Sequence, residues 1–184
     1  AVGGRSAPGD DSQGTIGVSL ASPASPVAVG QATTATIVVQ NRGGVVDQLT
    51  ISVVDLPASW VRISRPTLSL VAGARDEVTI VIQPPRSPES TAGEHPFSVA
   101  VVSGDNGREV RVLGTCTILP FDAFNATLQQ QGGGYHVAVE NQGNSTMTYA
   151  LSVTSDADNI TSRLDRESVE LAPGGTIAVP LAVA

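Results

Sequence analysis

Only one cysteine, Cys116, occurs in the 184 residues. No disulfide can close within the chain, which excludes a disulfide-stapled small fold. Aromatic residues make up 3% of the sequence, so a core must be built from Val, Ile, Leu and Ala. Lysine is absent: all ten basic residues are Arg, a weak compositional hint of a GC-rich bacterial genome. Charged residues are scarce at 15%, and the net charge is −7. A chain of that sign is repelled by nucleic acid and by anionic lipid, so neither is expected as a partner. No apolar run approaches the roughly 20 residues of a membrane helix, so no membrane insertion is expected. The first residues do not read as a secretory signal. Ala1 to Gly14 is small, polar and Gly-rich, and reads as a flexible lead-in.

What the sequence does contain is strand periodicity. Apolar residues are 41% of the chain, enough for a packed interior. They alternate at Ile16, Val18 and Leu20; at Ala35, Ile37 and Val39; at Leu49, Ile51 and Val53; at Val78, Ile80 and Ile82; at Phe97, Val99 and Val101; and at Val110, Val112, Cys116 and Ile118. Turn signals separate these runs: Asn41-Arg-Gly-Gly44, Ala72-Gly73, Pro84-Pro85 and Asp105-Asn106-Gly107. The Asn-Gly pair predicts a hairpin with a type I′ turn, which needs φ > 0 at both central residues. Gly132-Gly-Gly134 reads as a second hairpin, not as a phosphate loop, because no Lys-Ser/Thr or helix follows it. No segment has a helical period. Short strands with turns at intervals of about 8–12 residues predict a β-sandwich. Ile37, Val39, Ile51, Val53, Ile80, Val99 and Val112 should be inaccessible to solvent, with Cys116 buried among them and unpaired.

An internal repeat refines this. Ala35-Thr-Ile-Val-Val-Gln-Asn41-Arg-Gly43 matches Tyr135-His-Val-Ala-Val-Glu-Asn141-Gln-Gly143. Leu49, Ile51 and Val53 match Tyr149, Leu151 and Val153. After one inserted residue, Leu68-Ser-Leu70 matches Val169-Glu-Leu171, and Val78, Ile80 and Ile82 match Val179, Leu181 and Val183. Apolar positions coincide while surface positions differ, as two copies of one fold would require. The fold class is therefore all-β, as tandem immunoglobulin-like β-sandwiches: one over residues 15–119, a second over 120–184. The first copy continues through Phe97 to Ile118, whereas the second reaches Ala184 without a counterpart to that stretch. The second is expected to be truncated at its C-terminal strands, with an open sheet edge and a tendency to self-associate through it.

The first copy carries a further string: Asn41-x-Gly43, Leu56-Pro57-Ala-Ser-Trp60-Val61, Leu70-Val-Ala-Gly73, Pro84-Pro85 and Ala92-Gly93-Glu-His-Pro-Phe97. It resembles the bacterial immunoglobulin-like domain associated with NPCBM modules in alpha-galactosidases, and related repeats of surface and "hydrolytic" proteins. The resemblance spans Ile16 to Ile118. Over residues 121–184 it rests on Asn141-x-Gly143 and Ala172-Pro173-Gly174, and Asp156-Ala-Asp158-Asn-Ile160 replaces the Leu-Pro-x-x-Trp stretch. The resemblance implies an accessory, non-catalytic module without an active site.

Each residue of chemical interest has a bland reading beside a functional one. Trp60 reads as a cap on the sandwich core; as a sugar platform it would need to be exposed. His95 and His136 fall in different modules with no metal-spaced Cys or carboxylate around them. His136 lies out of phase with Tyr135 and Val137 and should face outward. Asp156, Asp158 and Asn159 could offer oxygen to Ca²⁺ but read as a solvated turn. Three sequons, at Asn125, Asn144 and Asn159, read as chance in a bacterial chain. No catalytic, cofactor-binding or metal site is expected and no cofactor, because no nucleophile, acid–base pair or ligand set assembles. The expectation is a structural or spacer module of a larger extracellular or cell-envelope protein. Its partners would be the other domains of the same polypeptide. The alternative is a glycan- or protein-binding adhesion module using loops at one end of the sandwich.

Overall fold

The computed structural model describes residues 14–156 and 160–184. The lead-in, Gly14 excepted, lies outside the described residues, as do Asp158 and Asn159. The chain divides into two compact units. The first holds residues up to Ala24, Thr33–Ile82 and His95–Cys116; the second holds Ser25–Ala32, Gln83–Glu94 and Thr117–Ala184. In chain order the strands are β1 (Ile16–Ala21), β2 (Thr33–Asn41), β3 (Asp47–Val54), β4 (Val61–Ile63), β5 (Thr67–Leu70), β6 (Arg75–Ile82), β7 (Gly93–Ser103) and β8 (Glu109–Ile118). They continue as β9 (Phe124–Gln131), β10 (Gly134–Asn141), β11 (Met147–Ala150), β12 (Ser162–Leu164), β13 (Ser168–Leu171) and β14 (Thr176–Val183). One 3₁₀ turn, Ala58–Trp60, interrupts them.

The fold is an immunoglobulin-like β-sandwich. The first unit is built on sheets ordered β1-β2-β6-β4 and β5-β3-β7-β8. Inward positions alternate along β2, β3 and β6, while β7 is buried on both faces from Phe97 to Val101. Ile37, Val39, Leu49, Ile51, Val78, Ile80, Val99 and Val101 are buried, and Cys116 is buried and free. Val53 and Val112, expected to be inaccessible, are only half-buried. Val112 sits on β8, the edge strand of its sheet. Val53 lies beside a surface depression shared with Ala58, Val61 and Ile63.

A single side chain closes one end of this sandwich. Asn41, at the end of β2, donates from Nδ2 to the carbonyls of Val45 and Leu70, each at 2.8 Å. Its Oδ1 accepts from Gly43 N–H at 2.8 Å. Its backbone N–H donates to Ala74 O at 2.9 Å and its carbonyl accepts from Gly73 N–H at 2.8 Å. Leu70 belongs to β5 in the opposite sheet, so the amide joins the two layers. The carboxamide is used in full, two donors and one acceptor at once, which the isosteric Asp and Leu cannot supply.

The hairpin joining β7 and β8 forms where expected, but with a different turn. Gly107 has φ 68°, while Asn106 is absent from the positive-φ residues. Gly107 N–H donates to Ser103 O at 3.0 Å. The cause is Asp47, whose carboxylate accepts from Ser103 Oγ and from Asp105 N–H. That anchor dictates a longer loop than the two-residue I′ turn. The I′ geometry appears instead between β9 and β10, where Gly132 and Gly133 have φ 61° and 81°.

The second unit repeats part of this plan. Its sheet β12-β14-β10-β9 has the order of β4-β6-β2-β1, and β11 pairs with β13 as β3 pairs with β5. Asn141 repeats the Asn41 clamp: Nδ2 donates to Ser145 O at 2.8 Å and Leu171 O at 2.9 Å, and Oδ1 accepts from Gly143 N–H at 3.0 Å. Gly143 cannot be replaced without displacing backbone, since a Cβ there would lie 2.6 Å from Phe121 O.

Replacing Asn41 by Ala orphans two carbonyls and one N–H at a buried site, at about 1–3 kcal/mol for a buried group left unsatisfied. Urea titration should show a lowered midpoint for the first unit in Asn41→Ala. Asn41→Asp should be no better, because a carboxylate donates to neither carbonyl. An unchanged midpoint for both variants would refute the clamp.

Candidate functional site

Burying a polar side chain is unfavourable unless it is satisfied, so each buried one has a task. Among the described residues the buried ones are Asn41, Asp47, Ser90, Ser98, Ser103, Asn141 and Asn144. Each holds backbone or a loop. Asp47 and Ser103 fix the turn described above. Ser90 Oγ donates to Pro85 O at 2.7 Å. Ser98 Oγ donates to Asp55, which has φ 73° at the turn after β3.

Asn144 makes a set as dense as those of Asn41 and Asn141. It is 1% exposed. Its Nδ2 donates to Ser90 O at 2.8 Å and Leu119 O at 3.1 Å, and its Oδ1 accepts from Phe121 N–H at 2.7 Å. Its own carbonyl accepts from Ala92 N–H at 2.9 Å. Within the second unit this ties Gln83–Glu94 to the chain entering β9. The amide of that sequon is saturated and enclosed, so it cannot carry a glycan in the folded state. Asn125 is exposed on β9, and Asn159 lies outside the described residues.

The other singled-out residues do not converge. Trp60 is buried after the Leu56-Pro57 turn, its ring edge-on to His95 at 5.9 Å between centroids. That is the capping position, not an exposed platform. His136 is half-buried on β10 between Gln129 and Pro180 of the flanking strands, its Nδ1 enclosed without a hydrogen-bond partner. Asp156 is exposed. Among the described residues no group of three His, Cys, Asp or Glu is gathered as metal ligands. No helix among them is long and apolar enough to cross a membrane. Two ion pairs of the described residues, Arg65 with Asp76 and Arg111 with Glu109, are both exposed. Hydrogen bonding to Arg65 is what chiefly lowers the Asp76 carboxyl below its ordinary range. Arg86 lies over the Phe121 ring at 4.4 Å.

Comparison with known proteins returns structural likeness without a family. No protein-family model matches the chain, and no curated protein matches it. Among solved structures, it is similar to a protein of unknown function from Porphyromonas gingivalis W83, with 20% identity over 92% of this chain and 83% of that one, TM-score 0.43. It is similar to a family 123 glycoside hydrolase from Clostridium perfringens, with 14% identity over 57% of this chain and 27% of the hydrolase, TM-score 0.47. It is also similar to the E. coli chaperone DraB, with 14% identity over 90% of this chain and 86% of that one, TM-score 0.38.

Burial pushes the Cys116 thiol pKa up. The folded state therefore holds the neutral thiol where the unfolded chain ionises it, above about pH 8.5. Stability contributed by this group is full below that pH and is lost as pH rises through the raised value. A thiol reagent at pH 8 should modify the native chain far more slowly than the urea-unfolded chain. Equal rates would show the β8 phase to be wrong.

Proposed function

We propose that the chain is a non-catalytic structural module, a spacer within a larger bacterial cell-envelope or secreted protein, of the immunoglobulin-like type associated with NPCBM modules. The observation that carries the reading is the use made of buried polarity. Asn41, Asn141, Asn144, Asp47 and Ser103 are all engaged in fixing loops and layer ends. A chain that commits its enclosed polar groups to holding its own backbone is built for a defined shape. Trp60, the chain's single tryptophan, supports the same reading by capping the core instead of presenting an exposed ring.

A labelled preparation of the chain on a glycan array tests this against the binding alternative. The spacer reading expects no saturable signal. Dose-dependent binding to one glycan class, competed by the free sugar, would replace it with the adhesion reading.

A further inference from the structure

The two units match strand for strand except in one place. β3 is flanked by β5 and by β7, while among the described residues β11 pairs with β13 alone. The consequence can be read along the chain. β3 pairs with β5 over Asp47–Thr50 and with β7 over Leu49–Val54. β11 forms over Met147–Ala150, the part that pairs with β13, and residues 151–155 are not strand. The stretch that β7 would organise is the stretch that is missing. Leu151 N–H donates to Glu167 O at 2.8 Å, the counterpart of Ile51 N–H to Pro66 O at 2.7 Å. Backbone groups alternate sides along a strand. Thr148 and Ala150 therefore turn theirs to the edge where no described strand pairs, and the same alternation carried one step past the Leu151–Glu167 bond would bring Ser152 to it.

Burial changes in the same way. Close to the Asn141 clamp, Val139 and Val179 are as buried as Val39 and Val78. Further along, Ile82 is 0% exposed and Val183 46%; Ala35 is 1% exposed and Tyr135 37%. The edge strand shows it most. The registers of β1 on β2 and of β9 on β10 equate Ile16 with Phe124 and Leu20 with Leu128. Ile16 is 4% exposed, whereas Phe124 and Leu128 are both 63% exposed. In the first unit β8 covers this strand: a Cβ on Gly114 would lie 2.8 Å from Leu20 and 2.7 Å from Phe97. Among the described residues the second unit thus presents a four-stranded sheet to a two-stranded one, and none of them covers its inner face over the width of two strands.

We propose that this open face of the second unit is a docking site for a two-stranded antiparallel β-hairpin with alternating apolar residues. It would add to the β11 edge as β7 adds to β3. The β3–β7 register sets Val101 against Ile51 and Val99 against Val53; the docked strand places aliphatic residues against Leu151 and Val153 in the same way. The second hairpin strand then covers Leu128 and Phe124. Met147 stands where Asp47 anchors the β7–β8 turn, so the docked turn needs no polar anchor. A second copy of this chain is the less favoured occupant. With a two-fold axis normal to the sheet, the two overhanging sheets claim the same space. With the axis in the sheet plane, the partner offers Thr148, Ala150 and Ser152 to an apolar surface.

The probe is a synthetic peptide of residues 93–118, added to the full 184-residue chain. Saturable one-to-one binding is expected, with slowed hydrogen exchange at Thr148, Ala150 and Ser152. Ser152→Pro removes one edge donor at a position outside any strand, and should weaken binding at least about tenfold. Exchange elsewhere in the free Ser152→Pro chain should be unchanged, which separates lost docking from misfolding. A peptide with Phe97, Val99 and Val101 replaced by Ser should not bind. No binding at hundreds of micromolar would overturn the proposal. So would protection confined to β3 of the first unit, or a chain that dimerises with its β11 amides already protected.

Discussion

The amide of a buried asparagine fixes the rest of this structure. Asn41 and Asn141 each reach from the end of one sheet to a carbonyl at the end of the other, Leu70 and Leu171. Two sheets held only by apolar contact could slide, because burial is non-directional. A bidirectional amide is not tolerant in that way: a shift of one residue would leave two carbonyls and an N–H without their partner. Register on both sheets follows from it, and so does the choice of glycine at positions 43 and 143. At Gly143 a side chain would press on the amide oxygen and on Phe121 O.

Packing quality falls with distance from that clamp in the second unit and does not in the first. Leu171, Val169, Val139 and Val179 form a closed end. Val137, Leu151, Val153 and Leu181 are only partly covered around it. Tyr149 leans across to Phe124, with centroids 5.5 Å apart, and fills some of the width that Leu49 need not fill in its fully flanked strand. The larger residue at this position is what an incompletely covered face calls for.

Much of this was legible in the sequence. Alternation located β1, β2, β3, β6, β7 and β8 of the first unit but not the three-residue β4, and the offset between Asn41 and Asn141 aligned the sheets. β12 was not legible because three residues carry no period. β9 was implied only by the Gly-Gly turn after it, since Phe124–Gln131 buries no side chain and so keeps no apolar pattern. The clamp itself was read as a turn signal. Its trace was present: an Asn retained where other polar positions had diverged marks a polar group that packing constrains. The turn after Ser103 was misassigned because Asp47 lies far away in sequence, and no local rule sees it. Asn144 was hidden the same way, its partners at Ser90 and Leu119 being distant.

β9 shows how an exposed strand can still be well defined. All of its residues are exposed, so burial contributes little to holding it. It is fixed instead at both ends and along one side. The Gly132-Gly133 turn sets one end. At the other, Asn144 holds Phe121 N–H, and Gln142 N–H donates to Ala123 O at 2.8 Å. Eight residues pair with β10 between them. A surface ordered by backbone bonds, and not by what covers it, has already lost its conformational freedom before anything docks. The ordering cost that usually weakens strand addition is then borne by the fold. That is why Phe124 and Leu128 can remain exposed on a strand of settled register, where a loop with the same residues would collapse onto itself.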